Sequence, residues 1–438
     1  MNYIKKTKKV MNNLISGFLE ENKITNEFER AVVTTIAPSL ILYTKWVLED
    51  AKKNEFKKLL FLMRDGKILY DIAEIIKTPL NVNIDNSILY CSRNSLRQAC
   101  YHQGGSLFDL LFVYSINISL NNILERLFDT KEIETFCKKV NITRAELLKP
   151  LTKQEVLNYK RDFLDNPIAM ELINEKSKYV YECCKGYFNA CGVLSPEKTA
   201  VVDVGWMGSM IKNIHNIIKS DSDKQIHSYF YGMYSTPRDI NKKVFHNFAF
   251  TRRTHLGNKV LFNNNLFECF CGDAQGTTLS YGKDKGEYIP ILETPDETNI
   301  EIYKKQQKII LAFTKYLVSQ VDINLLNNKY AIKILNRISS KPTREESEIF
   351  SVYKFSDLTN EKSLYPLCSS DFTFKQLFCC GLIGRILMKL RLIKVDFKYA
   401  YWIEGSIQLS NVKHKKFLIF NHRLFMLCKH IVYLFKKR

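Results

Sequence analysis

The sequence predicts an α/β fold with a parallel-sheet core, and three observations carry that prediction. Two apolar runs of strand length, Lys58-Leu59-Leu60-Phe61-Leu62-Met63 and Thr199-Ala200-Val201-Val202, each lead straight into a glycine-bearing loop that opens a helix. A continuously apolar strand is one covered on both faces, as parallel sheets are. The first run is also followed by a helical pattern and then a second strand pattern, the order that builds parallel units.

Taken in order, residues 10–54 read as helical, with Leu14, Phe18, Val32, Ile36, Leu40 and Trp46 set between polar positions. Pro38 marks a break or a helix start. Residues 57–63 switch to a strand, 67–76 resume helical spacing through Ile68, Leu69, Ile72 and Ile75, and 87–90 form a second strand ending in Cys91-Ser92-Arg93. Residues 106–195 carry long charged helical patterns without strand alternation, and read as a helical insertion. The sheet resumes at 198–203, a helix follows from about 208 to 218, and 225–234 supply an aromatic-rich strand. The polar stretch 282–298, with Pro290 and Pro295, reads as a linker, 302–321 as a helix and 339–362 as loop. The plan is thus a helical segment at 1–54, an α/β core at 55–282, a mixed helical region at 283–410 and a tail at 411–438.

Composition narrows the function classes. With 438 residues, 46% of them apolar and 12% aromatic, the chain is no disordered polypeptide. Twelve cysteines follow no metal-finger spacing, and the adjacent pairs Cys183-Cys184 and Cys379-Cys380 are poor disulfide partners, so reduced thiols in a cytosolic protein are expected. Cys269-x-Cys271 finds no His-x-x-x-His partner, and buried thiols are its simpler reading.

The net charge is +20, and residues 372–438 hold 14 Lys or Arg against Asp396 and Glu404, which places +12 of it there. From 415 onward seven basic residues alternate with Phe417, Phe420, Leu424, Phe425, Ile431 and Phe435, the composition of a helix lying among lipid headgroups. A terminal helix packed on its own domain is the other reading. Basic residues set among aliphatic ones, with no recognition motif, argue against nucleic acid. No uninterrupted apolar run reaches the ~18 residues of a membrane span, so the chain is expected to lie at a bilayer and not to cross it.

The two glycine loops are the candidate site. In one, Arg64, Asp65, Gly66 and Lys67 follow the first strand; in the other, Asp203, Gly205, Trp206, Met207, Gly208, Ser209 and Met210 follow the third. Helix N-termini reached through glycine offer free N–H groups to anions, so two such loops point to a ligand with two phosphate groups. Taken singly, Arg-Asp-Gly is a common turn and Asp203 a helix cap.

The pairing resembles the type I phosphoribosyltransferase core. The wider set is Phe-Leu-x-Arg-Asp-Gly, Tyr-x-Ser-Arg, Val-Val-Asp-x-Gly-Trp-x-Gly-Ser, Glu268 with Gly276 and Tyr281, and Trp402-Ile403-Glu404-Gly405-Ser406. It is similar to the phosphoribosyltransferase-type glycosyltransferases that make ribofuranose in bacterial surface polysaccharides. That likeness implies transfer of 5-phosphoribose from phosphoribosyl pyrophosphate, with Mg2+, to a lipid-linked glycan of the O-antigen or capsule kind, at the inner face of the cytoplasmic membrane. A separate phosphatase would remove the 5-phosphate, since no Asp-x-Asp-x-Thr/Val strand is present.

On the same likeness, residues 64–67 hold pyrophosphate with Ser92 and Arg93, Asp203 accepts from the ribose hydroxyls, and residues 205–210 wrap the 5-phosphate. Asp65 is the leading acid for metal or acceptor, and Glu268 the second choice as base. Val204 stands where the usual motif has a second acid, and the loop is shorter. Two rivals remain: a haloacid-dehalogenase-type phosphatase with Asp203 as nucleophile, which normally needs an acid at position 205, and a nonenzymatic basic binding or scaffold protein.

Overall fold

Strand side chains alternate between faces, so a wholly apolar strand must be covered on both. The computed structural model describes residues 2–435 apart from 116, 220–223, 296, 356–364, 397 and 399. In it, β1 (Lys58–Leu62) sends Leu59 and Phe61 into one core and Leu60 and Leu62 into another. β2 (Asp85–Leu89), β3 (Thr199–Val202), β4 (Gly205–Trp206), β5 (His227–Met233) and β6 (Phe245–Phe250) complete the sheet. All its pairings are parallel: β2 with β1, β1 with β3, β3 and β4 with β5, and β5 with β6. The protein is a mixed α/β fold built on a helix-covered parallel sheet.

β4 is the continuation of β3. Ala200 pairs with His227 and Gly205 with Gly232, so one register offset runs through both strands. Between them the Asp203 N–H donates to the Tyr229 carbonyl at 3.0 Å, and the Tyr231 N–H donates to the Val204 carbonyl at 3.1 Å. β3 and β4 therefore share one edge of β5, and β6 takes the other.

From β1 the chain moves to β2 through the helix Lys67–Ile76 on the first face; from β3 it moves the other way, to β5, through the helix Ser209–Ile218 on the second. Opposite directions on opposite faces give both crossovers the same hand. Strand order thus reverses between β1 and β3. The helix Ala37–Lys53 also covers the first face; it continues the helical stretch from Glu27 through a π turn at Val32–Ile36, the kind of local widening at which a helix accommodates a proline such as Pro38. The second face is covered by the helix Pro167–Ala190, through Val180, Cys184 and Phe188. The rest of the insertion builds its own core around Phe108, Phe112, Phe136 and Phe163.

Three expectations change. The supposed linker at 282–298 is largely a hairpin, β7 (Thr278–Asp284) with β8 (Glu287–Leu292), turning through Lys285 and Gly286, both at positive φ. One face of the hairpin meets solvent, through Leu279, Glu287, Ile289 and Ile291 among others, while Tyr281 is buried against Tyr187 and Phe188. The loop expected at 339–362 contains the helix Arg344–Phe350, started by a reciprocal cap between Thr343 and Glu346, and its part after 355 lies outside the described residues. β6 was not expected, because Phe-His-Asn-Phe-Ala-Phe follows neither strict alternation nor a continuous apolar run.

All twelve cysteines are free, ten of them buried. Two helical stretches have the length and apolar composition of a membrane span: Glu27–Lys53, with 89% of its apolar window buried in the protein, and Lys415–Phe435, with 17%.

Continuation of β3 into β4 depends on glycine at position 205. Its φ is +143°, and a Cβ there would sit 2.5 Å from the Gly232 carbonyl oxygen. Gly205→Ala is expected to lower unfolding stability by about 2 kcal/mol or more, measured by urea titration. Unchanged stability would show that the two strands need not lie this close.

Candidate functional site

Because β1 and β3 are parallel and adjacent, with Phe61 paired to Val202, their following loops open side by side at one edge of the sheet. The reversal of strand order makes a crevice there, the usual ligand position in open α/β sheets. The first loop is a tight turn in which the Gly66 N–H donates to the Leu62 carbonyl at 2.8 Å. The second ends at Gly208, whose φ of +68° suits glycine and turns the chain into the helix Ser209–Ile218. The first N–H groups of that helix, at Ser209 and Met210, have no acceptor within it. The Met63–Arg64 and Gly205–Trp206 peptide bonds are cis.

The crevice gathers acids under a rim of cations. Asp203 is buried, its side chain accepts from the Val204 N–H at 2.7 Å, and the Tyr43 hydroxyl donates to its carbonyl at 3.2 Å. Burial, and then the charge of Asp65, push the Asp203 carboxyl up to about 7, opposed by its backbone hydrogen bonds and by Arg93. Asp65, partly exposed, is also raised by burial; Arg64 counters this and Asp273 adds to it. Arg64 and Arg93 are exposed, and neither forms an ion pair with a described residue.

Other predicted site residues are occupied by the protein itself. The Lys67 ammonium pairs with Asp71 one turn along its helix. Ser92 caps the helix Arg93–Gln98 by accepting from the Ser95 N–H at 3.0 Å, and donates to the Thr278 carbonyl at 2.6 Å. Its hydroxyl fixes the loop that presents Arg93. The Trp206 ring packs against Tyr234, Phe262 and Phe267, and its indole N–H donates to Glu268 at 2.5 Å. Met207 is exposed, while Met210 packs against the second core.

The structure brings Glu268 into the neighbourhood of the first loop. The half-buried Tyr303 hydroxyl, raised chiefly by desolvation, feels the charges of Arg64, Asp65 and Glu268 together. Tyr303 and Gln307 stand on the helix Glu297–Gln320, and the Gln307 amide donates to Asp273 Oδ1 at 2.8 Å. The other Asp273 oxygen is buried without a hydrogen-bond partner. Sequence reading missed Asp273, Tyr303 and Gln307. They carry no local motif and lie more than two hundred positions beyond Asp65. The Trp402–Ser406 motif serves packing: the buried Trp402 indole donates to the Ser339 carbonyl at 3.0 Å, and the Ser369 N–H donates to the Ser406 hydroxyl at 3.2 Å.

A cavity of about 650 Å³ lies at the opposite edge of the sheet, lined by Glu197, Lys198, Lys224 and His227 among others. Its polar groups are already committed. Lys224 donates to the Val193, Ser195 and Glu197 carbonyls, and His227 is linked through His246 to Asp50. Burial holds His227 down at about 4. The crevice remains the candidate site, since Arg64 and Arg93 there form no ion pair with a described residue.

The raised Asp203 carboxyl gives a signed pH effect. Between about pH 4 and pH 7 the folded state keeps a proton that the unfolded chain has released, so stability falls as pH rises through that window. Asp203→Asn removes the ionisation. It is expected to melt several degrees above the parent at about pH 8 and close to it at about pH 4 by scanning calorimetry. A difference independent of pH would rule out a raised carboxyl. Compared with protein-family models and with curated proteins, the chain matches none, so its chemistry rests on the geometry of this crevice.

Proposed function

We propose that the protein is a phosphoribosyltransferase-type glycosyltransferase, with a core of the type I phosphoribosyltransferase kind, that moves 5-phosphoribose from phosphoribosyl pyrophosphate to a hydroxyl of a lipid-linked glycan. The observation that carries this reading is the juxtaposition of the two glycine loops at the β1/β3 reversal, with Arg64 and Arg93 unpaired over Asp65 and Asp203. The first loop spends the Gly66 and Lys67 N–H groups within its own turn and would bind an anion through Arg64, whereas the second offers the N–H groups at the start of its helix; two such positions side by side would fit a pentose that bears phosphate at both ends better than a single phosphate ester.

In the reaction the bond from the anomeric carbon to pyrophosphate breaks as the acceptor oxygen bonds to that carbon. Positive charge develops on the ribose ring and negative charge on the leaving group. Fixed donors at the leaving group lower that barrier, and this role falls to Arg64 and Arg93. Lys67 would join them only by giving up Asp71. Ser209 and the free N–H groups at the start of its helix hold the 5-phosphate, with Gly205 and Gly208 letting the backbone approach.

Asp203 accepts from the ribose hydroxyls and opposes the ring's developing charge. The acceptor proton passes to Asp65 or Glu268. Among the described residues no three ligating side chains converge on a point. Mg2+ held mainly by substrate phosphates needs only one or two carboxylates, and Asp65, at the rim, fits that use. When bound, the ion would neutralise charge on the pyrophosphate. A separate phosphatase would complete the route.

The phosphatase reading is weaker on one observation: position 205, where that chemistry normally needs a second acid, is glycine.

The test mixes purified protein, Mg2+, phosphoribosyl pyrophosphate and a panel of glycan acceptors, and looks by mass spectrometry for an added phosphopentose. Asp203→Ala is expected to cut transfer about a hundredfold or more, and Arg93→Ala to weaken donor binding about tenfold. Transfer that survives loss of Asp203 would overturn the assignment. Phosphate release from a simple ester without acceptor would favour the phosphatase.

A further inference from the structure

Helix Lys415–Phe435 has two unlike sides. On one, Leu418 is fully buried, Asn421 accepts from the Ile383 N–H at 2.9 Å, and His430 stacks on Tyr234 with ring centroids 5.3 Å apart. On the other, Phe417, Phe420, Leu424, Leu427, Ile431 and Phe435 recur every three or four residues and form one continuous stripe. Phe420 is 61% exposed and Phe435 81%, so the stripe faces outward along the helix.

The surroundings state what would cover it. The helix contains no acidic residue. Beside it the helix Leu382–Lys389 lays Arg385 over the Phe425 ring at 4.1 Å, and exposes Ile383 and Ile386. Exposed Leu390 and Leu392 then alternate with Lys389, Arg391 and Lys394. At the far end of the long helix, Arg252 donates to the Tyr433 carbonyl at 3.3 Å, bringing the basic Arg252-Arg253 loop alongside.

From these observations we infer that this face, made of the helix Lys415–Phe435, the 382–394 segment and the Arg252-Arg253 loop, lies flat on an anionic phospholipid bilayer with the Phe417–Phe435 stripe inserted. A second copy of the chain would bring an all-basic helix against another and repel it, whereas paired helices place opposite charges beside their seam. A membrane span is excluded by the packed side, which holds the helix along the protein surface. An apolar stripe flanked by cations matches acyl chains beneath anionic headgroups.

The face also has a fixed relation to the crevice. Tyr234 directly follows β5 and contacts both His430 and Trp206, so the helix runs beside the same sheet edge as the candidate site. The membrane inference itself does not depend on which reaction that site performs.

The test uses the full chain with vesicles of phosphatidylcholine alone or with about one third phosphatidylglycerol. Cosedimentation with the anionic vesicles only is expected, partly reversed by high salt and fully by alkaline carbonate. Phe420→Trp is expected to fold normally and to shift its emission to the blue on the anionic vesicles. Phe420→Ser with Ile431→Ser is expected to keep the parent's circular dichroism and melting temperature, and to lose about tenfold or more in vesicle affinity. Four results would overturn the inference: no binding to anionic vesicles, full release by salt without a blue shift, resistance to carbonate, or a concentration-dependent dimer abolished by the serine pair in protein that ignores vesicles.

Discussion

The pairing of β1 with β3 is the contact on which the site depends. Each strand alone ends in an ordinary turn. Side by side and parallel, with Phe61 opposite Val202, they bring Asp65 and Asp203 close enough that one charge raises the other's carboxyl. The long helical insertion leaves the sheet after β2 and returns at β3, and its closure is fixed by the Lys57 N–H donating to the Lys198 carbonyl at 2.8 Å. Parallel neighbours need such long crossovers, so the loop-closure cost is met by apolar burial on both faces of the sheet.

Much of this pairing was legible because it is written in local pattern. The runs at 59–62 and 200–202 are short and wholly apolar, and the helices Lys67–Ile76 and Ser209–Ile218 bury isoleucines at helical spacing. What was not legible is what tertiary contact decides. The stretch 282–298 reads as linker because it is polar and carries Pro290 and Pro295, and only packing on the helix Pro167–Ala190 gives the hairpin at 278–292 its buried face. The family likeness gives Ser92 to the pyrophosphate, and its capping of the helix Arg93–Gln98 is a tertiary detail that the likeness does not carry. Asp273, Tyr303 and Gln307 reach the crevice from the region after β6, and no spacing in the chain ties them to Asp65.

The site's electrostatics follow from burial more than from count of charges. Asp203 is buried, and Tyr43, whose ring packs with the aromatic group of Trp46, Tyr231 and Phe267, donates to its carbonyl; an ionised carboxylate there is poorly solvated and the backbone N–H of Val204 is its hydrogen-bond compensation. The arginines lie at the surface. A buried acid below and exposed cations above make a gradient: in the proposed reaction the anionic groups of the donor would be held at the mouth and the centre that becomes positive would lie deeper. Reversing the two layers would place the cations where desolvation penalises them.

The same aromatic group ties the crevice to the carboxyl-terminal helix. Trp206 contacts Tyr234 and Phe262, Tyr234 stacks on His430, and the Trp206 indole N–H holds Glu268. Close-packed rings transmit displacement poorly absorbed by rotamer change. A force on the helix Lys415–Phe435 therefore bears first on Tyr234 and then on the loop that carries Asp203. The polar face of the chemistry and the apolar face of the helix are set by one packed block, and their relative orientation is as fixed as the core itself.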